Sequence, residues 1–363
     1  MGRALSSRDA PRGAGGGERI VITKKRVTLA DVAKLAGLSQ AAASMILTGR
    51  ADTRLSAEAH ERIHAAAAQL GYRPNIAARA LRTDKTKTIA FISDYVATTR
   101  FASGLIRGAL EAAEQANHVM LVLETGGEPA REVQAIEAAL DRQVDGIIFA
   151  AMRAREVFIP EVPSATRVVM LNGTSGRFKA SVLPDEFEGG RLAVTLLQQA
   201  GITEGIALIG HNQLVERGLF RSETVSRRLA GVRSAMAGYG MDFIAEESCW
   251  EWEPHHGYEL VSKLLKQGVR PQALLCLNDR LAFGAYQALG EIGLRIPADV
   301  SIVSFDNDEL ASYLRPGLTT IALPHEEMGR QAVAMLLSDD APREILVPMP
   351  MMTRASIANG ESR

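Results

Sequence analysis

The sequence predicts an α/β chain of two unlike parts: a small head of three helices, and a larger core built of two parallel-sheet α/β subdomains. Three observations predict it. Residues 28–70 carry apolar positions at helical spacing, interrupted by a glycine turn. From Lys87 onward, apolar runs of strand length alternate with amphipathic segments. The formal charge of −1 over 363 residues conceals an asymmetry. Residues 1–88 hold 16 Lys and Arg against 7 Asp and Glu, a net of +9, and the remainder holds 25 against 35, a net of −10. A cationic head on an anionic body suits a head that contacts phosphates and a body that does not.

Residues 1–25 contain Gly13, a Gly15-Gly16-Gly17 run and scattered arginines without periodicity, and are expected to be disordered. They lack the apolar stretch of a secretion signal. No apolar run in the chain is long enough to cross a bilayer. The two cysteines, Cys249 and Cys276, suggest no disulfide framework and fit a reducing cytoplasm.

The head is expected over residues 26–73. Thr28 reads as an N-cap, with Asp31 placed to close a capping box. Leu29, Val32, Ala33 and Ala36 then give one apolar face. Gly37 supplies a turn and Ser39 caps a second helix running to Leu47. Ala33, Ala36 and Ala42 are small enough for the two helices to cross steeply, as in a helix-turn-helix, although an ordinary αα-hairpin would share the pattern. Ser56, with Glu58 in the first turn, opens a third helix whose apolar stripe is Ile63, Ala66 and Leu70. That helix contains His60-Glu-Arg-Ile-His64, a formal match to the zinc motif H-E-x-x-H. The histidines flank the stripe of Ile63 and Leu70 and are expected at the surface, and with no third ligand evident no metal is expected.

At this point the sequence resembles the LacI/GalR family of bacterial transcription regulators. VTLADVAKLAGLSQ (27–40), LTGR (47–50) and LGYRPNIAARALRTDKTKTIAF (70–91) carry the resemblance, which extends over nearly all of residues 26–357. It implies operator DNA as a partner, a homodimer, and a bilobed core like that of periplasmic binding proteins. The DNA-contacting set it implies is Thr28, Ser39, Gln40, Ala41, Ser44, Met45, Tyr72, Asn75, Ala78, Arg79, Leu81 and Arg82. Gln40 and Ala41 begin the recognition helix, the end that a docked helix points at base edges. Met45 stands where the family commonly has arginine and Ala42 where it has threonine, so a polar contact is expected to be missing at each and the operator preference altered.

Residues 74–86 read as a hinge helix and linker. Pro74 suits the first helical position, and the alanines with Leu81 favour a helix too short to be stable alone. By resemblance, Leu81 is the wedge for a minor-groove step, Ala78 lets paired hinges approach, and Arg79 and Arg82 meet phosphates. A plain linker is the alternative.

The strand-length runs of the core are 88–93, 119–124, 146–151, 167–172, 205–210, 273–278 and 300–305. Helical segments lie between them at 105–116, 132–140, 191–199, 258–266 and 281–291. Continuous apolar runs alternating with helices mean buried parallel strands. A break at Leu183-Pro184-Asp185 divides the core into an N-subdomain (87–183 with 321–341) and a C-subdomain (184–320 with 342–357).

Ligands of open parallel sheets sit beyond the carboxyl ends of strands. Asp94, Asn172, Asn278 and Asp306 each follow a run, and carboxylates and amides there suit paired hydroxyls, unless they merely cap the next helix. Trp252 offers a stacking face. The resemblance assigns effector binding to Arg228 (within 226–231), Asn278 and Asp306, joined by Trp252, Asn172, Asp94 and Phe101; the last two flank a loop that reads as longer than usual. The resulting expectation is a cytoplasmic, nucleoid-associated repressor controlled by a small sugar-like effector. The alternative is a sugar receptor of the same fold that does not act on DNA. No G-x-S-x-G, G-x-x-x-x-G-K-[ST] or G-x-G-x-x-G occurs, so no catalytic residue and no cofactor is expected.

Overall fold

A computed structural model describes residues 27–47, 55–73, 85–95, 100–151, 159, 161–212 and 223–358. The expected tail (1–25) and most of the expected hinge, including Asn75, Ala78, Arg79, Leu81 and Arg82, lie outside these residues. The chain divides into two compact units after Arg82.

The first unit has three described helices, α1 (Leu29–Ala36), α2 (Gln40–Leu47) and α3 (Ala57–Leu70). Capping fixes their ends. The Asp31 N–H donates to Thr28 Oγ1 while the Thr28 N–H donates to Asp31 Oδ2 at 2.8 Å, a reciprocal capping box. Gly37 and Gly71 end α1 and α3 in the left-handed region, at φ of 65° and 62°. The Ser39 hydroxyl accepts from the Ala42 N–H at 3.1 Å and so starts α2. Val32, Ala33, Ala43, Ile46, Ile63 and Ala66 form the buried centre. With so many alanines, Val32, Ile46 and Ile63 dominate, each stabilising the head by about 1.5–3 kcal/mol. Arg62 reaches from α3 to the carbonyls of Ala36 and Gly37, satisfying the open end of α1. One of the head's positive charges is thereby committed to structure.

The second unit contains two six-stranded sheets. In the first lobe lie β1 (Thr88–Ser93), α4 (Arg100–Gln115), β2 (Val119–Glu124), α5 (Pro129–Asp141), β3 (Ile147–Ala150), β4 (Val168–Leu171) and β5 (Ser181–Pro184). The chain then enters the second lobe with α6 (Glu186–Gln199), β6 (Ile206–His211), α7 (Glu223–Gly238), β7 (Phe243–Ser248), α8 (Pro254–Lys266), β8 (Ala273–Cys276), α9 (Asp279–Glu291), β9 (Ser301–Asp306), α10 (Glu309–Tyr313) and β10 (Thr319–Ala322). It returns for α11 (His325–Leu337) and β11 (Glu344–Val347), and crosses a last time to β12 (Met351–Met352).

The sheets have matching order, β2-β1-β3-β4-β5-β11 and β7-β6-β8-β9-β10-β12. The first is parallel throughout, and in the second only β12 runs antiparallel, against β10. Each is therefore a doubly wound sheet whose order reverses beside its first strand, at β1/β3 and β6/β8. Two boundaries differ from expectation. The strand at 344–347 does not belong to the C-subdomain: it pairs with β5 and completes the first sheet. The return to the first lobe also begins after β10 ends at Ala322, not at residue 321. Nor is every strand buried as a continuous run. At one edge of the first sheet, no position of β2 is fully buried, because only one of its sides has a neighbour. The helical segments begin earlier than their apolar stripes, and α4 takes in most of the supposedly long loop before Arg107.

Glycines let paired helices touch at the backbone. A Cβ at Gly190 would collide with the Arg228 carbonyl oxygen, and one at Gly231 with the Phe187 carbonyl oxygen, so α6 and α7 cross without side chains between them. The first lobe repeats the device, with Gly108 against Glu326 and Gly329 against Leu105 between α4 and α11. The three passages between the lobes are knitted together. The Asp185 N–H donates to the Val347 carbonyl and the Ala322 N–H to the Pro350 carbonyl, both at 2.8 Å, while the Leu323 N–H donates to the Asp306 carbonyl at 3.2 Å.

Candidate functional site

In the head, α2 buries Ala42, Ala43 and Ile46 and turns Gln40 and Ala41 outward, with Ser44 and Met45 half-buried one turn on. Positions four apart share a helix face, so these four residues form one outward row. Ala42 lies between the outward Gln40 and Ala41 and the buried Ala43 in sequence. It is 5% exposed. Thr28 and Ser39 are exposed but their hydroxyls serve as caps. Tyr72 packs against the head's apolar centre. His60 is half-buried and His64 exposed, and the described residues contain no group of three or more His, Cys, Asp or Glu able to hold a metal.

In the core, a charged cluster lies where the second sheet's strand ends meet the passages between lobes. Arg228 projects from α7 beside the Gly190/Gly231 crossing and is almost wholly buried. Its Nε and Nη2 donate to Glu186 Oε2 and Oε1 at 2.6 and 2.8 Å, and Nη1 donates to the Leu277 carbonyl at 2.6 Å. Asp306 Oδ1 lies 3.6 Å from Nη2. The guanidinium also lies over the rings of Phe305, at 4.5 Å, and Trp252, at 5.8 Å.

The second lobe places the partners by strand ends and caps. Asn278 follows β8 and caps α9, accepting from the Leu281 N–H at 2.8 Å, while its amide donates to the Trp252 carbonyl at 3.2 Å. Trp252 is fixed in turn by its indole N–H, which donates to the Gly210 carbonyl at 2.9 Å. Gly210 sits at φ 101° where the β6–β7 register shifts, and a Cβ there would strike Leu281. Asp306, at φ 103°, ends β9 in a conformation unfavourable for a side-chain-bearing residue, a strain typical of functional positions.

Burial sets the electrostatics. It pushes the Asp306 carboxyl up to about 8, against the pull of Arg228 and with help from Asp279 and Glu186. Asp279 is raised to about 6 by burial, held back by hydrogen bonds from Ser304, Thr320 and the Asp308 N–H. Burial opposes the charge of Arg228, yet pairing with Glu186 raises its pKa overall. His325, the first residue of α11, is lowered to about 4 by burial and by the charge of Arg228.

Of the expected residues, the structure brings together Arg228, Asp306, Asn278 and Trp252. Asp94 and Asn172 end strands of the first lobe. Asp94 is fully buried and accepts from the Tyr95 N–H at 3.0 Å, and Asn172 donates to the Ala151 carbonyl at 2.9 Å. Phe101 lies in α4, its side chain outside the described residues. Sequence reasoning missed Glu186 and His325. Both sit on passages between the lobes, just after Pro184-Asp185 and Leu323-Pro324, and those proline-marked breaks were the available signal.

A basic helical head with an outward helix row, joined to a duplicated α/β core with a buried polar cluster, defines the class of ligand-sensing DNA-binding regulators. Comparison with known proteins makes the assignment specific. Residues 28–75 match the family model for bacterial regulatory proteins of the lacI family, and residues 191–357 match a periplasmic binding protein-like domain. The ribose operon repressor of Haemophilus influenzae is 31% identical over 316 residues, covering 85% of this chain and 91% of that protein. The HTH-type transcriptional repressor PurR of Vibrio parahaemolyticus is 30% identical over 318 residues, covering 85% and 91% respectively. Among solved structures, the Lac repressor dimer bound to operator and the anti-inducer ONPF aligns with a TM-score of 0.74 at 26% identity, covering 92% of this chain and 100% of that one. The chain belongs to the lacI family and is a DNA-binding transcriptional regulator.

Proposed function

We propose that the protein is a homodimeric, sequence-specific repressor whose grip on operator DNA is set by a small sugar-like effector held between the lobes. The observation that carries this reading is the buried Arg228–Asp306 cluster, flanked by Asn278 and Trp252, at the strand ends beside the passages between lobes. We assign effector contact to Arg228, Asn278, Asp306 and Trp252, with Asp94, Phe101 and Asn172 contributing from the first lobe. DNA contact falls to Gln40, Ala41, Ser44 and Met45 on the outward row of α2, with Thr28, Ser39 and Tyr72 nearby. Asn75, Ala78, Arg79, Leu81 and Arg82 complete that set by resemblance.

The relatives named as ribose operon repressor and HTH-type transcriptional repressor PurR, and the Lac repressor dimer bound to operator, support the regulatory sign and the pairing of subunits. Effector and DNA favour different relations of the lobes, so each changes the other's affinity by the same factor. The protein performs no catalysis in this reading and works in the cytoplasm at the nucleoid. Among the described residues, no helix is long and apolar enough to cross a membrane.

Gel shifts with fragments of its own promoter region, with and without a panel of sugars, test the reading. One fragment should bind in preference to random duplex, and one sugar should change that affinity. Equal binding to all duplexes under every condition would overturn it. Leu81→Ala should weaken specific binding far more than non-specific binding, and equal losses would remove the wedge.

A further inference from the structure

We propose that the effector is an uncharged, hydroxyl-rich compound, and that Glu186 is the residue that bars sugar phosphates and sugar acids. The inference rests on the assignment of the Arg228–Asp306 cluster as the effector site. An arginine in a ligand site ordinarily offers a planar fork to an anion. Here the fork is already closed on an internal carboxylate. Two of its donors, Nε and Nη2, meet the two oxygens of Glu186, a third meets the Leu277 carbonyl, and the remaining Nη2 side faces Asp306 at 3.6 Å.

The lock is built deep. The Arg228 and Glu186 side chains are 3% and 2% exposed, and the glycine crossing of α6 and α7 holds their helices together. Glu186 also lies in the first turn of α6, where the helix dipole favours a carboxylate. An anionic ligand that took over the guanidinium would strand Glu186 as a buried, unpaired charge, the costliest arrangement a protein interior offers.

Among the described residues, no spare cation beside the cluster compensates. His325 stays neutral beside Arg228. Arg280, in the first turn of α9, is paired with Glu253, and Arg227, next to Arg228, is paired with Glu344. Asp306, protonated at neutral pH, offers an O–H donor and a carbonyl acceptor. The cluster thus consists of one neutralised ion pair, one neutral acid and the Asp279 carboxylate already held by Ser304, Thr320 and the Asp308 N–H, which suits hydroxyls and repays neither an added negative nor an added positive charge.

Glu186 acts through Arg228 and is a positioning residue. Its test is calorimetric titration and thermal shift of the full-length protein with matched pairs: glucose and glucose 6-phosphate, ribose and ribose 5-phosphate, with glucosamine as the cationic probe and inorganic phosphate as the bare anion. In the wild type the uncharged member of the responding pair should bind at least about tenfold more tightly than its phosphate, about 1.4 kcal/mol. Inorganic phosphate should not raise the melting temperature above a chloride control of equal ionic strength. Glu186→Gln should gain a phosphate-specific rise and narrow the gap within the pair, a selective change that loss of a purely structural contact would not produce. A wild type that prefers the phosphorylated sugar or glucosamine overturns the proposal and needs no variant to do so. A sugar that binds equally well to Asp306→Asn and Arg228→Lys would instead show that the effector site lies elsewhere.

Discussion

The two lobes share one strand order and differ in what they bury. The first closes its strand ends with groups turned onto their own backbone: Asp94 onto Tyr95, Asn172 onto Ala151, Thr125 onto Ser93. The second closes its ends with ionisable groups, namely Arg228, Glu186, Asp279 and Asp306, all buried or nearly so. A matching strand order therefore fixes where a site can lie and leaves open which half supplies its chemistry. In this chain the second lobe supplies the paired ionisable groups, and His325 of α11 is lowered to about 4 by burial and by the charge of Arg228.

Deleting partners on each side breaks or sharpens that contrast. Arg228→Ala should have the largest effect, about 3–5 kcal/mol of core stability by urea denaturation, because it leaves Glu186 buried without its partner. A loss no larger than that of a surface variant would mean the pair is not buried in solution. Gly231→Ala should follow, at about 1–3 kcal/mol, since its Cβ meets the Phe187 carbonyl. Gly108→Ala should cost a similar amount in the first lobe, where the same crossing recurs, and a wide difference between the two would deny that the lobes share this packing. Asn172→Ala should cost only about 1 kcal/mol, one ordinary hydrogen bond.

Asp306 separates the lobes by pH. Its folded pKa of about 8 lies above the usual 3.8, so the folded core binds the proton more tightly than the unfolded chain. The stability this contributes is complete below about pH 4 and is lost as pH rises through about 8. Asp279, raised to about 6, adds in the same direction over the lower part of that window. Denaturation midpoints of the core should therefore fall from acid toward neutral pH, and Asp306→Asn should flatten the decline; an unchanged slope would remove Asp306 as its source. Asp306→Ala should likewise flatten the decline, because it removes the group that must take up a proton to stay buried. That variant should abolish the effector response and keep DNA affinity, as read by gel shift.

Much of this architecture is legible in the residues themselves. Seven strands announce themselves as apolar runs, and the head's helix ends are set by Thr28, Gly37, Ser39, Ser56 and Gly71, each placed by a local rule that tertiary contacts do not override. The missed strands are those where burial and apolarity part company. Thr319 and Thr320 in β10 are fully buried though polar, β7 alternates along a sheet edge, and β11 finds its partner β5 some 160 residues earlier, a pairing no local pattern encodes. The site divides along similar lines. Asn278 and Asp306 stand at strand ends and are visible as such. Glu186 reads as any first-turn acid of a helix, and only the crossing of α6 with α7 reveals what it grips.

The placement of β11 governs how the protein can be made. The first sheet stays one strand short, and α4 lacks its companion α11, until residues 325–347 have been synthesised, after almost all of the second lobe. A nascent chain emerging from the ribosome carries an unfinished first lobe for most of its length, with the apolar faces of β5 and α4 awaiting cover. Truncation anywhere upstream of Val347 consequently leaves both halves incomplete, the first without a whole β11 and the second without β12.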